Sequence, residues 1–326
     1  MACGWQLPNR FIHPMTPIIT PPYLKPGDSI GIIAPASVVQ YQDLLPGIKI
    51  LQDWGLNVVE GFTLKTSHNQ FAATDQERLQ DFQTMLDNES LSAIIAARGG
   101  YGCSRIVDEL DFSSFIKKPK WIVGFSDLTV ILSRTFLLGY QSVHGPMVKS
   151  MTLDGAENAA DTLRKILFGE AVHYKIEGSE QNRNGTAQGQ VVGGNLCLLA
   201  HMIGTGTDID TKGKILFIED VNEYLYNLDR MMIQLKRSGK LSHLAGLVIG
   251  QFTDVKDNAA PAFGKNIEEI IHEHVAEFSY PVCYNFPAGH VADNQPLVIG
   301  AEVSLEVSAE IVSLNFLPDV NHAVQI

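Results

Sequence analysis

Positive charge is what this chain has least of: 24 lysines and arginines stand against 36 aspartates and glutamates, a formal net charge of −12. With no basic face to neutralise a phosphate backbone or an anionic bilayer, nucleic acid and membrane surfaces are not expected as partners. Long apolar runs are missing too, none reaching the roughly 18 to 20 residues that a membrane span needs. The N-terminal segment has no basic cluster leading into an apolar run, and Pro8, Pro14, Pro17, Pro21 and Pro22 interrupt it, so no secretion signal is read there. The four cysteines, Cys3, Cys103, Cys197 and Cys283, lie far apart without CxxC or CxxH spacing. That pattern suits free thiols in a reducing cytoplasm better than a disulfide framework. HExxH, GxGxxG and GxxxxGK[ST] are all absent, and neither a metal nor an organic cofactor is expected.

What is present is enough for more than one core: 326 residues, 45% of them hydrophobic. Apolar, β-rich runs at 29–36, 56–62, 91–97 and 119–125 read as strands, and segments 43–54, 75–88, 103–110 and 127–138 carry helical spacing between them. Nearly continuous apolar strands separated by helices predict an α/β fold with a parallel sheet covered on both faces. A helix is expected at 157–168, then a polar stretch, GSEQNRNGTAQGQ (178–190), that reads as a linker. Beyond it, strands at 189–194, 213–220, 245–252 and 297–307 mix with helices near 195–203, 224–238 and 264–277. The expected division is a tail (1–24), an N-terminal domain (25–170), a linker (171–190) and a C-terminal domain (191–326).

Ligands of open α/β sheets gather beyond the carboxyl ends of strands, which directs attention to four places. Ser126 in WIVGFSDLTVIL stands where an apolar strand meets a helical pattern. It reads either as a nucleophile in a sharp turn, with the Asp127 amide as oxyanion donor, or as a plain helix N-cap. A full GxSxG is lacking, because Leu128 replaces the second glycine. The segment AARGGYGCSR sets Gly99, Gly100 and Gly102 after another buried strand, offering close backbone approach to an oxyanion, a phosphate-cradling loop or a simple turn. Glu219 ends the buried run KILFIED and is placed to orient a histidine, although Asp220 and Glu223 are eligible for helix-end pairing. His290 lies in the irregular loop FPAGHVADNQP, and His144 in SVHGPM follows a short strand and either lines the same crevice or serves a turn. His272 and His274, two apart on a helix with Glu269 and Glu273, are expected on a solvated face.

Taken together, KPGDSIGIIAPAS, AARGGYGCSRIVDELDF, WIVGFSDLTVIL, SVHGPM, GGNLCLL, ILFIEDVNEYLYNLDRMMIQL, GLVIGQFTD and FPAGHVADNQPLVIGAEVSL resemble, in order, the LD-carboxypeptidase family of serine peptidases. The resemblance implies Ser126 as nucleophile, Glu219 as the acid, His290 as general base, and an oxyanion hole from the amides of Gly100 and Asp127. It implies a Rossmann-like N-terminal domain, a smaller β-rich, barrel-like C-terminal domain, and a homodimer. The implied substrate is a murein tetrapeptide that loses its terminal D-alanine. Its carboxylates call for a basic anchor, for which Arg98, Arg105 and Arg230 are candidates, with Tyr101 beside the glycine loop. Two rival readings remain: a self-immunity peptidase of the same family that cleaves a peptide or aminoacyl-nucleotide antibiotic, and a non-catalytic binding module using GGYG as an anion nest. The first is expected to carry a longer, often aromatic insertion between serine and acid, whereas the interval from Ser126 to Glu219 is compact.

Overall fold

The computed structural model describes residues 18–317. The first half runs β1 (Ser29–Ile33), α1 (Leu45–Asp53), β2 (Asn57–Glu60), α2 (Asp75–Asp87), β3 (Leu91–Ala96), α3 (Ser113–Lys117), β4 (Trp121–Gly124), α4 (Thr129–Leu137), β5 (Ser142–His144) and α5 (Glu157–Leu167). The second runs β6 (His173–Glu177), β7 (Gly185–Asn195), α6 (Leu196–Met202), β8 (Ile215–Val221), α7 (Leu225–Arg237), β9 (Gly246–Thr253) and α8 (Ile267–Val275). It ends with β10 (Val282–Cys283), β11 (Leu297–Ile299), β12 (Glu302–Val307) and β13 (Ile311–Phe316).

The first sheet has the order β11-β5-β4-β3-β1-β2, with β1 to β5 mutually parallel and β11 antiparallel at one edge. Its strands are apolar throughout because helices cover both faces, and Ile30, Ile32, Ile95 and Val123 are fully buried. The strand order reverses between β1 and β3, so the loops after these two strands open into a crevice at the carboxyl edge. Helix α2 opens with a reciprocal capping box between Thr74 and Glu77. At its other end, the buried Lys120 ammonium donates to the carbonyls of Met85, Leu86 and Asn88.

The second sheet has the order β10-β9-β8-β7-β12-β13-β6, parallel from β10 to β7 and antiparallel from β7 to β6. An antiparallel bridge from Arg183 to Val282 ties edge strand β10 back to the segment between β6 and β7. In place of the expected barrel-like arrangement the second half forms this seven-stranded sheet, with no closed barrel among the described residues. One apolar cluster runs through both halves.

Several local expectations are corrected. The stretch 171–190 carries β6 and the start of β7; it is polar because that part of β7 pairs antiparallel with β12 and is largely exposed, while Val191–Asn195 turns into the parallel part and is buried. Segment 103–110 forms two single 3-10 turns, Cys103–Arg105 and Val107–Glu109, not an α-helix, since the backbone leaves helical geometry at Ile106, φ −123°, between them. The run 297–307 breaks at Gly300, φ 90°, and sends β11 and β12 into different sheets. His274 is buried and 2.8 Å from Asp229; only His272 faces solvent as expected. From Ile19 onward the expected tail packs against the first half: Trp121 Nε1 donates to Pro22 O at 3.1 Å and Leu24 N to Leu167 O at 2.8 Å. Residues 1–17 lie outside the described residues.

Candidate active site

Ser126 stands one residue beyond β4, after Phe125, and holds φ at +63°, a left-handed conformation that a non-glycine residue adopts only when its surroundings impose it. A single 3-10 turn, Ser126–Leu128, precedes α4, so the helix expected from Asp127 begins regularly only at Thr129. The missing second glycine is explained by packing. A Cβ on Gly124 would lie 2.7 Å from Leu128 Cγ, so one glycine, two residues before the serine, makes room for a leucine two residues after it. Gly99 is close as well, since a Cβ there would lie 3.1 Å from Ser126 Cβ.

The glycine loop is laced to the crevice from both sides. Tyr101 N donates to Ser37 Oγ at 3.2 Å, and Gly100, at φ 115°, presses so closely on Ser37 that any Cβ would overlap the hydroxyl. The buried Arg78 guanidinium donates to Gly102 O at 3.0 Å and to Pro35 O at 2.5 Å. From the other side, Asp127 Oδ2 accepts from Cys103 N at 2.7 Å, fastening the loop to the turn that carries Ser126. Burial holds the Asp127 carboxyl above the usual carboxylate range, against the Cys103 contacts. The amides of Gly100 and Asp127 donate to no other group among the described residues. Sequence reasoning assigned Asp127 an amide role and missed its side chain.

Alternation along β8 separates the two acids. Asp220 faces α6, where its carboxylate accepts from Asn195 Nδ2 at 2.8 Å, Cys197 N at 2.9 Å and Val221 N at 2.8 Å. Burial pushes it up to about 7, partly offset by the Val221 amide, and the neighbouring Glu219 adds to the rise. Asp220 is thus a helix-end acid, and Glu223 pairs with Asn227 in the first turn of α7. Glu219 faces the other way, is 0% exposed, and has Oε2 2.6 Å from His290 Nδ1. Strand β9 inserts one extra residue opposite this point, between Ile249 and Phe252. Gly289, at φ 125°, leaves the acid its space, since a Cβ there would lie 2.9 Å from Glu219 Oε2. An ionised carboxylate only accepts, so Nδ1 of His290 carries the proton and Nε2 is the free base. Burial works against a charged His290, and the hydrogen bond and charge of Glu219, with Asp220 behind it, outweigh burial and raise its pKa above the ordinary value.

The structure brings these pieces to one crevice through a short chain of contacts. Thr129, three residues after Ser126, accepts Asn195 N at 3.1 Å; Asn195 pairs in register with Glu219; Glu219 holds His290; and the His290 ring packs at 5.0 Å against Phe125, the residue before Ser126. Among the described residues Ser126 Oγ makes no hydrogen bond of its own; catalytic contacts of this kind commonly tighten only when substrate is bound.

The basic candidates fare unequally. Arg105 is spent on a two-pronged pair with Asp75, its Nε and Nη2 within 2.9 Å of the carboxylate. Arg98, half-buried, donates to Val38 O at 3.0 Å, and Arg230 lies exposed on α7 over the ring of Tyr226 at 5.3 Å. Tyr101 is 48% exposed on the glycine loop and stacks obliquely near Phe71. A cation that sequence reasoning missed is Lys256, whose Nζ donates to Asn222 Oδ1 at 2.5 Å. Asn222 N in turn donates to Thr253 O at 2.9 Å, and Thr253 Oγ1 to His290 O at 3.3 Å, so this cation stands at the strand ends beside the histidine. Its signal in the sequence, a lysine four residues past the strand GLVIGQF, was too weak to single out.

Residues 30–145 match the family model for the LD-carboxypeptidase N-terminal domain and residues 188–305 the model for the LD-carboxypeptidase C-terminal domain. The chain is similar to the probable murein peptide carboxypeptidase of Bacillus subtilis, 35% identical with 88% of this chain and 92% of that protein covered. It also resembles the crystal structure of muramoyltetrapeptide carboxypeptidase from Oxalobacter formigenes, at TM-score 0.80 and 31% identity over 89% of this chain and 99% of that one. The Microcin C7 self-immunity protein MccF of Escherichia coli is 24% identical over 91% of this chain and 96% of its own length. With both family models matched in order and the relatives covered nearly end to end, the chain belongs to the LD-carboxypeptidase family of serine peptidases.

Proposed function

We propose that the protein removes the terminal D-alanine from murein tetrapeptides, cutting an L,D-peptide bond with Ser126, His290 and Glu219 as a triad. The observation that carries this reading is the Glu219–His290 pair, 2.6 Å apart and packed through Phe125 against a serine held at φ +63°. His290 Nε2 accepts the Ser126 proton as Oγ bonds to the scissile carbonyl carbon, and Glu219 stabilises the imidazolium that forms. The Gly100 and Asp127 amides receive the oxyanion. His290 then gives its proton to the leaving amine nitrogen as the C–N bond breaks. Water, deprotonated by the same imidazole, attacks the acyl-enzyme and restores the serine. Lys256 is the cation best supported as anchor for a substrate carboxylate, since Asn222 and Thr253 link it to His290. The proposal extends to a homodimer acting in the cytoplasm on peptides from cell-wall recycling, and to a division into an N-terminal domain carrying the serine and a C-terminal one carrying acid and base.

Two measurements test it. A fluorophosphonate probe should label the wild type and spare Ser126→Ala; equal labelling of both would remove Ser126 from the role. Incubation with a murein tetrapeptide and with its L-alanine-ended epimer should release alanine from the D-ended peptide alone. Release from neither by a protein that still labels at Ser126 would shift the substrate to a peptidyl or aminoacyl nucleotide, the second reading, which the likeness to the self-immunity protein favours.

A further inference from the structure

The crevice contains a buried histidine that the triad does not use. His144 ends β5, where its register partners are Gly124, two residues before Ser126, and Leu297 on β11. It is 0% exposed, with its ring 5.8 Å from that of Phe125 and 4.9 Å, edge to face, from that of Phe217. Phe217 and Glu219 are two apart on β8 and so share a face. His144 is therefore wedged between the strand that carries the nucleophile and the strand that carries the acid. Neither of its ring nitrogens has a hydrogen-bond partner among the described residues, and neither does Glu219 Oε1.

These orphans are complementary. Glu219 spends Oε2 on His290, and its other oxygen, fully buried, lacks a donor, which is the most expensive way to leave an ionised carboxylate. A neutral imidazole has one N–H to give. Burial, set against the charge of Glu219, brings His144 down to about 4, so it is neutral at any working pH; His290 is the other charged group acting on it. We propose that His144 is a positioning residue for the triad acid: one buried water accepts its N–H and donates to Glu219 Oε1, fixing the carboxylate that holds His290. A site with two or more polar partners is what a buried water requires. The inference rests on Glu219 serving His290, as proposed above, and concerns how that acid is held, not which substrate is cut.

The test uses the full-length protein and needs no substrate. With histidine labelled in ¹⁵N, His144 should remain neutral in one tautomer from pH 5 to 8, and its N–H resonance should move in Glu219→Gln. The pH dependence of fluorophosphonate labelling supplies the second readout. In His144→Phe, the loss of the donor intensifies the charge facing His290. The acid limb should then shift upward by about one pH unit, and labelling at pH values below the wild-type limb should slow by about tenfold. His144→Asn or His144→Gln, whose amides stand near Nδ1 and Nε2, should restore the limb in one of the two. An imidazole that titrates near the ordinary value, a His144 resonance indifferent to Glu219→Gln, or a wild-type acid limb in His144→Phe would each overturn the proposal. So would the same shift in Asn294→Ala with none in His144→Phe, since Asn294 Nδ2 is an orphan donor on the Gly289 side of the acid. Should His144→Phe not fold, the wild-type resonances and the two amide variants decide. Labelling that behaves as expected in a protein that releases no alanine would overturn the substrate reading and leave this one standing.

Discussion

Replacing Gly124 by alanine tests how the turn at Ser126 is held. The added Cβ would lie 2.7 Å from Leu128 Cγ and 3.4 Å from Ala96 Cβ, so the leucine is the obstacle and the alanine an ordinary neighbour. Overpacking of this kind costs about 2 kcal/mol. Leu128 is 1% exposed, and its truncation to alanine costs about 3 kcal/mol on its own. If the two changes acted independently, the double variant would lose about 5 kcal/mol; if the methyl group merely occupies room that the shortened side chain vacates, the loss stays near about 3 kcal/mol, a coupling of about 2 kcal/mol. Activity follows geometry, because a serine displaced by about 1 Å loses about a hundredfold in reactivity. Urea unfolding of the four proteins gives the cycle, and the rate of fluorophosphonate labelling reports the serine. Gly124→Ala should label about a hundredfold more slowly, and adding Leu128→Ala should recover most of that. Additive stabilities, or a Gly124→Ala protein with wild-type labelling, would show that the missing second glycine is not compensated in the way argued here.

Three further outcomes are expected. Gly289→Ala puts a methyl group 2.9 Å from Glu219 Oε2 at φ 125°, so kcat should fall about a hundredfold, while stability falls by only about 1–3 kcal/mol; unchanged kcat would refute the contact. The raised pKa of His290 places the acid limb of kcat/KM above its ordinary value of about 6.5, since only the neutral imidazole acts as base. The sign for stability is the reverse: the Glu219–His290 contribution is full below about pH 6.5 and fades as pH rises through the folded value; Glu219→Gln, which leaves burial to hold His290 below its ordinary value, should invert that slope and cut kcat by about 10⁴. Finally, Lys120→Met leaves the carbonyls of Met85 and Leu86 at the end of α2 without this donor, and that of Asn88 with the Leu91 amide alone, and should lower stability by about 2–3 kcal/mol in denaturant melts, with labelling of Ser126 unaffected.

Legibility in the sequence followed the range of the interactions involved. Strands β1, β3, β4, β8 and β9 were readable because strands covered on both faces are nearly continuous apolar runs, with polar residues mainly at their ends. β6 and the start of β7 were not, because their polar residues face solvent from an antiparallel sheet whose partners lie far along the chain; β12 pairs Val307 with Gly185, and β13 pairs Asn315 with His173. Helical spacing at 103–110 was real in its burial but not in its hydrogen bonding, since the backbone departs from helical geometry at Ile106 and splits the segment into two 3-10 turns.

The sequence by itself determined the fold class, the family, and the segments that carry Ser126, Glu219 and His290, because strand and turn chemistry is local and motif order is written along the chain. It left Glu219 and Asp220 separable only by resemblance. Tertiary structure decided between them: the pleat of β8 turns one to His290 and the other to the α6 N-terminus. It likewise decided that Leu128 fits where a GxSxG turn has its second glycine, that Arg105 is spent on Asp75, and that Lys256 and His144 lie near the proposed triad. Each of these depends on which side chains meet across strands far apart in sequence, and packing of that kind has no local signature to read.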